Sequence, residues 1–210
     1  MSNPNPAKIG GFQFLDFVQA GPRKSTRTVA EQRKLYLNPQ GMGWSYYGPL
    51  YAGFKAAVSA PDPRTTLDQV VNRAAVRDVG CGRAFAEASD GFLHLLGTGV
   101  TGVPVQSSSW QEGDLTIDLR RMTGLRTRKG DLLYVAPYVK EPELTQDDAD
   151  VLLYLMDEAV AQALPNATPV VWDTRRGQAF KLRRNTNRKL LGCHVRGQAA
   201  AYMVAWHLAA

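Results

Sequence analysis

Acidic residues are missing from the last part of the chain: between Thr174 and Ala210 there is no Asp or Glu, although eight Lys or Arg residues fall there. Cysteine is nearly as scarce. Cys81 and Cys193 are the only two in 210 residues, which argues against a disulfide framework and suits a reducing cytoplasm. No C-x-x-C pair or H-x-x-x-H spacing is present, so Cys193-His194 with Cys81, His94 or His207 would form a zinc site only if folding gathered distant segments. There is neither a glycine-rich phosphate loop ending in Lys-Ser/Thr nor a G-x-S-x-G elbow, which disfavours a nucleoside triphosphatase and an α/β-hydrolase. No apolar run is long enough to span a bilayer, and the Met1–Pro6 opening lacks a charged start followed by an apolar stretch. The expectation is a cytoplasmic protein without a membrane partner.

With 44% hydrophobic residues, the chain is long enough to bury one sizeable core and short for two. The expected organisation is a single α+β domain over residues 1–210: a mainly helical part, 1–104, packs on a sheet-containing part, 105–210, with a basic C-terminal segment. In the helical part, Ile9–Val18 reads equally as a short strand or a helix, and Gly21–Arg27 as a basic turn. Thr28 and Glu31 form a capping-box signature that predicts a helix start. Gln40–Pro49 is an aromatic, glycine-rich loop that either packs or presents its rings. Helices are predicted over Leu50–Ala60, Thr66–Val76 (capped by Thr65 with Asp68) and Arg83–Leu96. Gly97-x-Gly99-x-x-Gly102 has the spacing of a dinucleotide loop but follows a helix, so it reads as a linker.

The second part gives three strand signals, Val105–Trp110, Leu115–Arg120 and Leu132–Lys140, separated by Glu112-Gly113-Asp114 and Lys129-Gly130-Asp131 turns. Thr145 and Asp148 form a second capping box before a helix over Gln146–Ala163, and Pro165 stops it. Pro169–Trp172 reads as a buried strand, turned at Arg176-Gly177 into a partner over Gln178–Arg183. A terminal helix covers Gly197–Trp206, with small residues on one face that suit packing or a dimer contact.

This helix–strand–strand–strand–helix–strand order, αβββαβ over roughly residues 83–183, resembles the core of the PD-(D/E)XK nuclease-like superfamily. The resemblance implies a metal-binding Asp on the second core strand, matched by Asp118, and a carboxylate, one spacer and a Lys on the third, matched at its end by Lys140. Asp114, Thr116 and Asp118 alternate onto one strand face, so Asp114 and Asp118 could share Mg²⁺ or Mn²⁺, with Glu87 or Glu112 nearby. The carboxylate position is Tyr138. A phenol with a pKa of about 10 is a poor ligand for a hard divalent cation, so the implied core has an incomplete catalytic motif. The bland alternative is that these are polar residues on the wet face of a sheet.

Charge supplies the other constellation. A net charge of +6 favours an anionic partner. Arg175, Arg176, Lys181, Arg183, Arg184, Arg188 and Lys189, interleaved with Asn185, Thr186 and Asn187, are the mixture that phosphate-backbone contacts use, so DNA or RNA is the expected partner. Arg23, Lys24, Arg27, Arg33 and Lys34, and Arg120, Arg121, Arg126, Arg128 and Lys129, form two further basic clusters. Glu141–Glu158 has seven acids and no base. The alternative reading pairs that acidic helix with the basic tail, within one fold or across a homo-oligomer. Three functions remain open: a nucleic-acid-binding protein on a nuclease-like core, a metal-dependent nuclease with a displaced carboxylate (Glu112, Asp114 or Glu141), and an assembly component.

Overall fold

The structure, a computed structural model, describes residues 6–38 and 46–209. Both readings of Ile9–Val18 are realised in turn: β1 (Ala7–Gly10) runs directly into α1 (Gly11–Gln19). Gly21, at φ +64°, turns the chain into α2 (Gly21–Leu37). That helix begins seven residues before Thr28, so the expected basic turn is its first two turns. The Glu31 carboxylate pairs with Arg27 one turn back, at 2.8 Å, instead of closing a capping box. Residues 40–45 of the aromatic loop lie outside the described residues; Tyr46 and Tyr47 pack edge to face before α3 (Gly48–Ala57).

α4 (Pro63–Arg77) is capped by Asp62, whose carboxylate accepts from the Thr65 N–H, rather than by Thr65 itself. α5 (Val79–Leu96) is capped by Asp78. The two helices cross closely because Gly82 has no side chain: a Cβ there would stand 2.5 Å from that of Ala75.

The strands divide between two sheets. The smaller has the order β1-β4-β3, with β3 (Ser109–Glu112) antiparallel to β4 (Leu115–Asp118) and β1 parallel to β4. The larger has the order β2-β5-β6-β7-β8, built from Thr101–Val103, Thr123–Arg126, Leu132–Tyr138, Thr168–Asp173 and Gln178–Phe180. Its first three strands are antiparallel neighbours, β6 and β7 are parallel, and β8 folds back on β7.

Of the three expected strands, the first two therefore pair in the small sheet and only the third enters the large one. β5 takes the place beside β6. Its sequence, Thr-Gly-Leu-Arg, shows no clean alternation because three of its four residues are buried. Gly124 is needed there, since a Cβ would meet the Val103 carbonyl at 2.6 Å. The expected linker likewise ends as β2.

The crossover between β6 and β7 is α6 (Gln146–Ala163). Its capping box is complete, with the Asp148 N–H donating to the Thr145 hydroxyl and the Thr145 N–H to the Asp148 carboxylate. Val151 to Met156 are consecutively buried, so the middle of this helix is covered on every side, packed on α1, β3, β7, β8 and α7, while its acids lie toward its two ends. Phe54, Phe92 and Trp172 extend the core from α3 through α5 to β7, the two phenylalanines stacked at 4.1 Å. The chain closes with α7 (Arg188–Leu208), nine residues earlier in its start than expected, capped by Asn187 onto the Leu190 N–H. The expected class holds: a helical N-terminal half on mixed sheets, with a terminal helix.

Candidate functional site

β6 ends at Tyr138, so Lys140 lies just beyond the carboxyl end of the parallel β6–β7 pair, where α/β sheets place ligands. Burial pushes the Tyr138 phenol up to about 12, and its hydroxyl donates to the Pro142 carbonyl at 2.8 Å. It is a neutral packing group there. Lys140 reaches α1, donating to the Phe12 carbonyl at 3.2 Å and pairing with the Asp16 carboxylate. Desolvation lowers its pKa below the usual lysine value, and Asp16 opposes that shift.

Asp16 is a partner that sequence reasoning missed. Its only signal was one acid inside the aromatic run Phe12–Val18, and the pairing spans 124 positions.

Asp118 is the last residue of β4, in the other sheet, and not on the strand beside β6. Both carboxylate oxygens engage Arg120, whose backbone N–H donates to Oδ1 at 2.8 Å and whose Nε lies 2.6 Å from Oδ2. No ion pair joins Asp118 to Lys140. Asp114 sits in the exposed turn before β4. A Mg²⁺ or Mn²⁺ ion held by Asp118 and Asp114 would have to compete with Arg120. Among the described residues no three His, Cys, Asp or Glu side chains come together as a metal cluster. Glu87 pairs with Arg175 and Glu112 with Arg196, the latter at 3.7 Å.

The seven C-terminal cations expected to contact phosphate separate into two groups. Arg175, Arg176 and Arg188 have structural partners. Arg175 donates to Glu87 through Nε at 3.1 Å. Arg176 lies 3.3 Å from the fully buried Asp173 and 3.2 Å from the Lys140 carbonyl, binding the β7–β8 turn to the end of β6. Arg188 pairs with Asp157 of α6, so part of the expected attraction between acidic helix and basic tail exists within the fold.

Lys181, Arg183, Arg184 and Lys189, by contrast, are exposed and make no ion pair among the described residues. They gather at the corner between β8 and α7, and α7 has no acid in its first turn. Lys189 lies in the first turn of α7, where a cation opposes the macrodipole, so helix stability does not account for it.

Comparison of the chain with protein-family models, curated proteins and solved structures found no match in any of the three.

Proposed function

We propose that this chain binds nucleic acid through the β8–α7 corner, on a nuclease-like core that lacks a complete catalytic motif. The observation that carries this reading is the set of four exposed cations, Lys181, Arg183, Arg184 and Lys189, without carboxylate partners among the described residues at the positive end of α7. Neutral donors interleave them, as backbone recognition requires. What supports the nuclease-like part is that, once β3 and β4 branch off into the small sheet, α5, β2, β5, β6, α6 and β7 follow as a helix, three antiparallel strands, a crossover helix and a parallel strand, although the first two of those strands are not the ones expected. In that series β5 carries no carboxylate and β6 ends in Tyr138, which favours binding over cleavage.

Fluorescence anisotropy with labelled single-stranded and duplex DNA and RNA, at about 50 and 200 mM salt and without metal, tests it. Four phosphate contacts weaken binding by about 10²-fold across that range. Submicromolar binding that falls in this way, and is lost when the four cations become Gln, is the expected result. No binding to any of the four polymers refutes it.

A second reading, metal-dependent cleavage, draws on the Asp16–Lys140 pair, in which Asp16 would stand in for the missing carboxylate. It requires Mg²⁺- or Mn²⁺-dependent cleavage that disappears in both Asp16→Asn and Lys140→Ala.

A further inference from the structure

The parallel strands β1 and β4 end side by side, Gly10 opposite Asp118. The chain leaves them by different routes, β1 into α1 and β4 into the loop from Leu119 to Met122. Between the two exits lies a cavity of ≈ 350 Å³, bordered by Lys8, Tyr36, Asp118, Arg120 and Arg121. A crevice outside the carboxyl ends of parallel strands is a usual place for a ligand, and this volume falls in the small-molecule range.

Three cations and one carboxylate border the cavity, a formal charge of about +2 at neutral pH. The carboxylate is already engaged. Asp118 takes the Arg120 backbone N–H on one oxygen and Nε on the other, and so fixes the base of that guanidinium. The Arg121 guanidinium lies over the Tyr51 ring, 4.9 Å from its centroid. Tyr36 accepts the Gly10 N–H at 3.2 Å, so its own hydroxyl proton is directed elsewhere. These cations make the cavity electropositive.

We propose that this cavity binds a phosphate monoester, the 5′ end of a nucleic-acid strand or a free nucleotide. This inference rests on the nucleic-acid reading above only for the strand-end source. A monoester carries nearly two negative charges at neutral pH, matching the lining, where an internal phosphodiester carries one. Arg120 and Arg121 contact the phosphate. Asp118 is a positioning residue that holds Arg120, which makes this an anion site in place of the cation site its carboxylate suggests.

The test uses the full chain, labelled ten-nucleotide DNA with a 5′-phosphate or a 5′-hydroxyl, and adenosine 5′-monophosphate by calorimetry. Three proteins are compared: wild type, Arg120→Gln/Arg121→Gln, and the fourfold Gln variant at Lys181, Arg183, Arg184 and Lys189. The 5′-phosphate is expected to strengthen binding at least tenfold in wild type. The preference is lost in the double variant, and the fourfold variant, which no longer holds the strand itself, keeps its mononucleotide binding.

Thermal melting checks folding. If Arg121→Gln perturbs it, Arg120→Gln alone, at a largely exposed side chain, carries the test. Equal affinity for both strand ends, with no binding of the mononucleotide, overturns the proposal whatever the fourfold variant does. Mononucleotide binding that depends on Arg120, without binding of either strand, upholds the cavity and refutes the nucleic-acid reading.

Discussion

One run of basic residues serves two regions in opposite ways. At the β7–β8 turn, Arg175 and Arg176 are partly buried and neutralised by Glu87 and Asp173; a few residues on, at the β8–α7 corner, Lys181, Arg183, Arg184 and Lys189 face solvent and make no ion pair among the described residues. The first pair holds the sheet's end in place, and the second group is free to meet an external anion. Net charge or run length does not separate the two, because the difference lies in which distant carboxylates the fold delivers.

The largest effect expected is at the seat of the turn. A Cβ on Gly91 would lie 1.8 Å from the Thr174 carbonyl oxygen, so Gly91→Ala must displace either α5 or the turn. Arg176→Ala would leave the Asp173 charge buried without its cation, at a cost of about 3–5 kcal/mol. Urea unfolding measures both. If Arg176→Ala costs no more than a surface substitution, the structural assignment of that arginine is wrong.

The corner should respond in the opposite sense. Replacing its four cations by Gln is expected to change stability by no more than about 0.5 kcal/mol per residue. The same variant should lose submicromolar nucleic-acid binding at low salt, and with it the fall of about 10²-fold between 50 and 200 mM salt. A variant that unfolds instead would erase the distinction between the two regions.

Lys140 sharpens the comparison through pH. Its folded pKa is lowered by burial, so between that value and the unfolded value the unfolded chain binds more protons. The cost of burying its charge is therefore present at neutral pH and relieved as pH rises toward the ordinary lysine pKa. The stability difference between wild type and Lys140→Met should shift in favour of wild type as pH rises from 8 to 10.5. A difference independent of pH would show that the amine is not desolvated.

The smallest effect is at Asn187, whose side chain caps α7 beside the corner. Asn187→Ala is expected to cost about 1 kcal/mol, read by thermal melting, and to weaken binding only through loosening of the first turn.

Local chemistry was legible from the sequence where it stayed local. α6 was bounded correctly because Thr145 with Asp148 at one end and Pro165 at the other each act on the backbone next to them, and Arg176-Gly177 marked a turn because Gly177 adopts φ +62°. The same signature misled at Thr28, where an Arg27–Glu31 pair and an earlier start at Gly21 made the capping box unnecessary. Sheet membership was not legible. β3 and β4 are adjacent in sequence and pair with each other, yet β4 also accepts β1 from the far end of the chain, which carries Asp118 away from Lys140. The Asp16–Lys140 pair was hidden for the same reason: an ion pair formed across 124 positions leaves no spacing to read.

The pairing of Ala7 with Leu115 also bears on synthesis at the ribosome. The partner of β1 is made 108 positions later, a delay of about 5–20 s at ordinary elongation rates. For that time the apolar side of the first strand must be shielded by α1 and the helices that follow it. The small sheet is therefore closed by the middle of the chain rather than its beginning, and a nascent chain that pauses before Leu115 presents an unmatched strand to its neighbours.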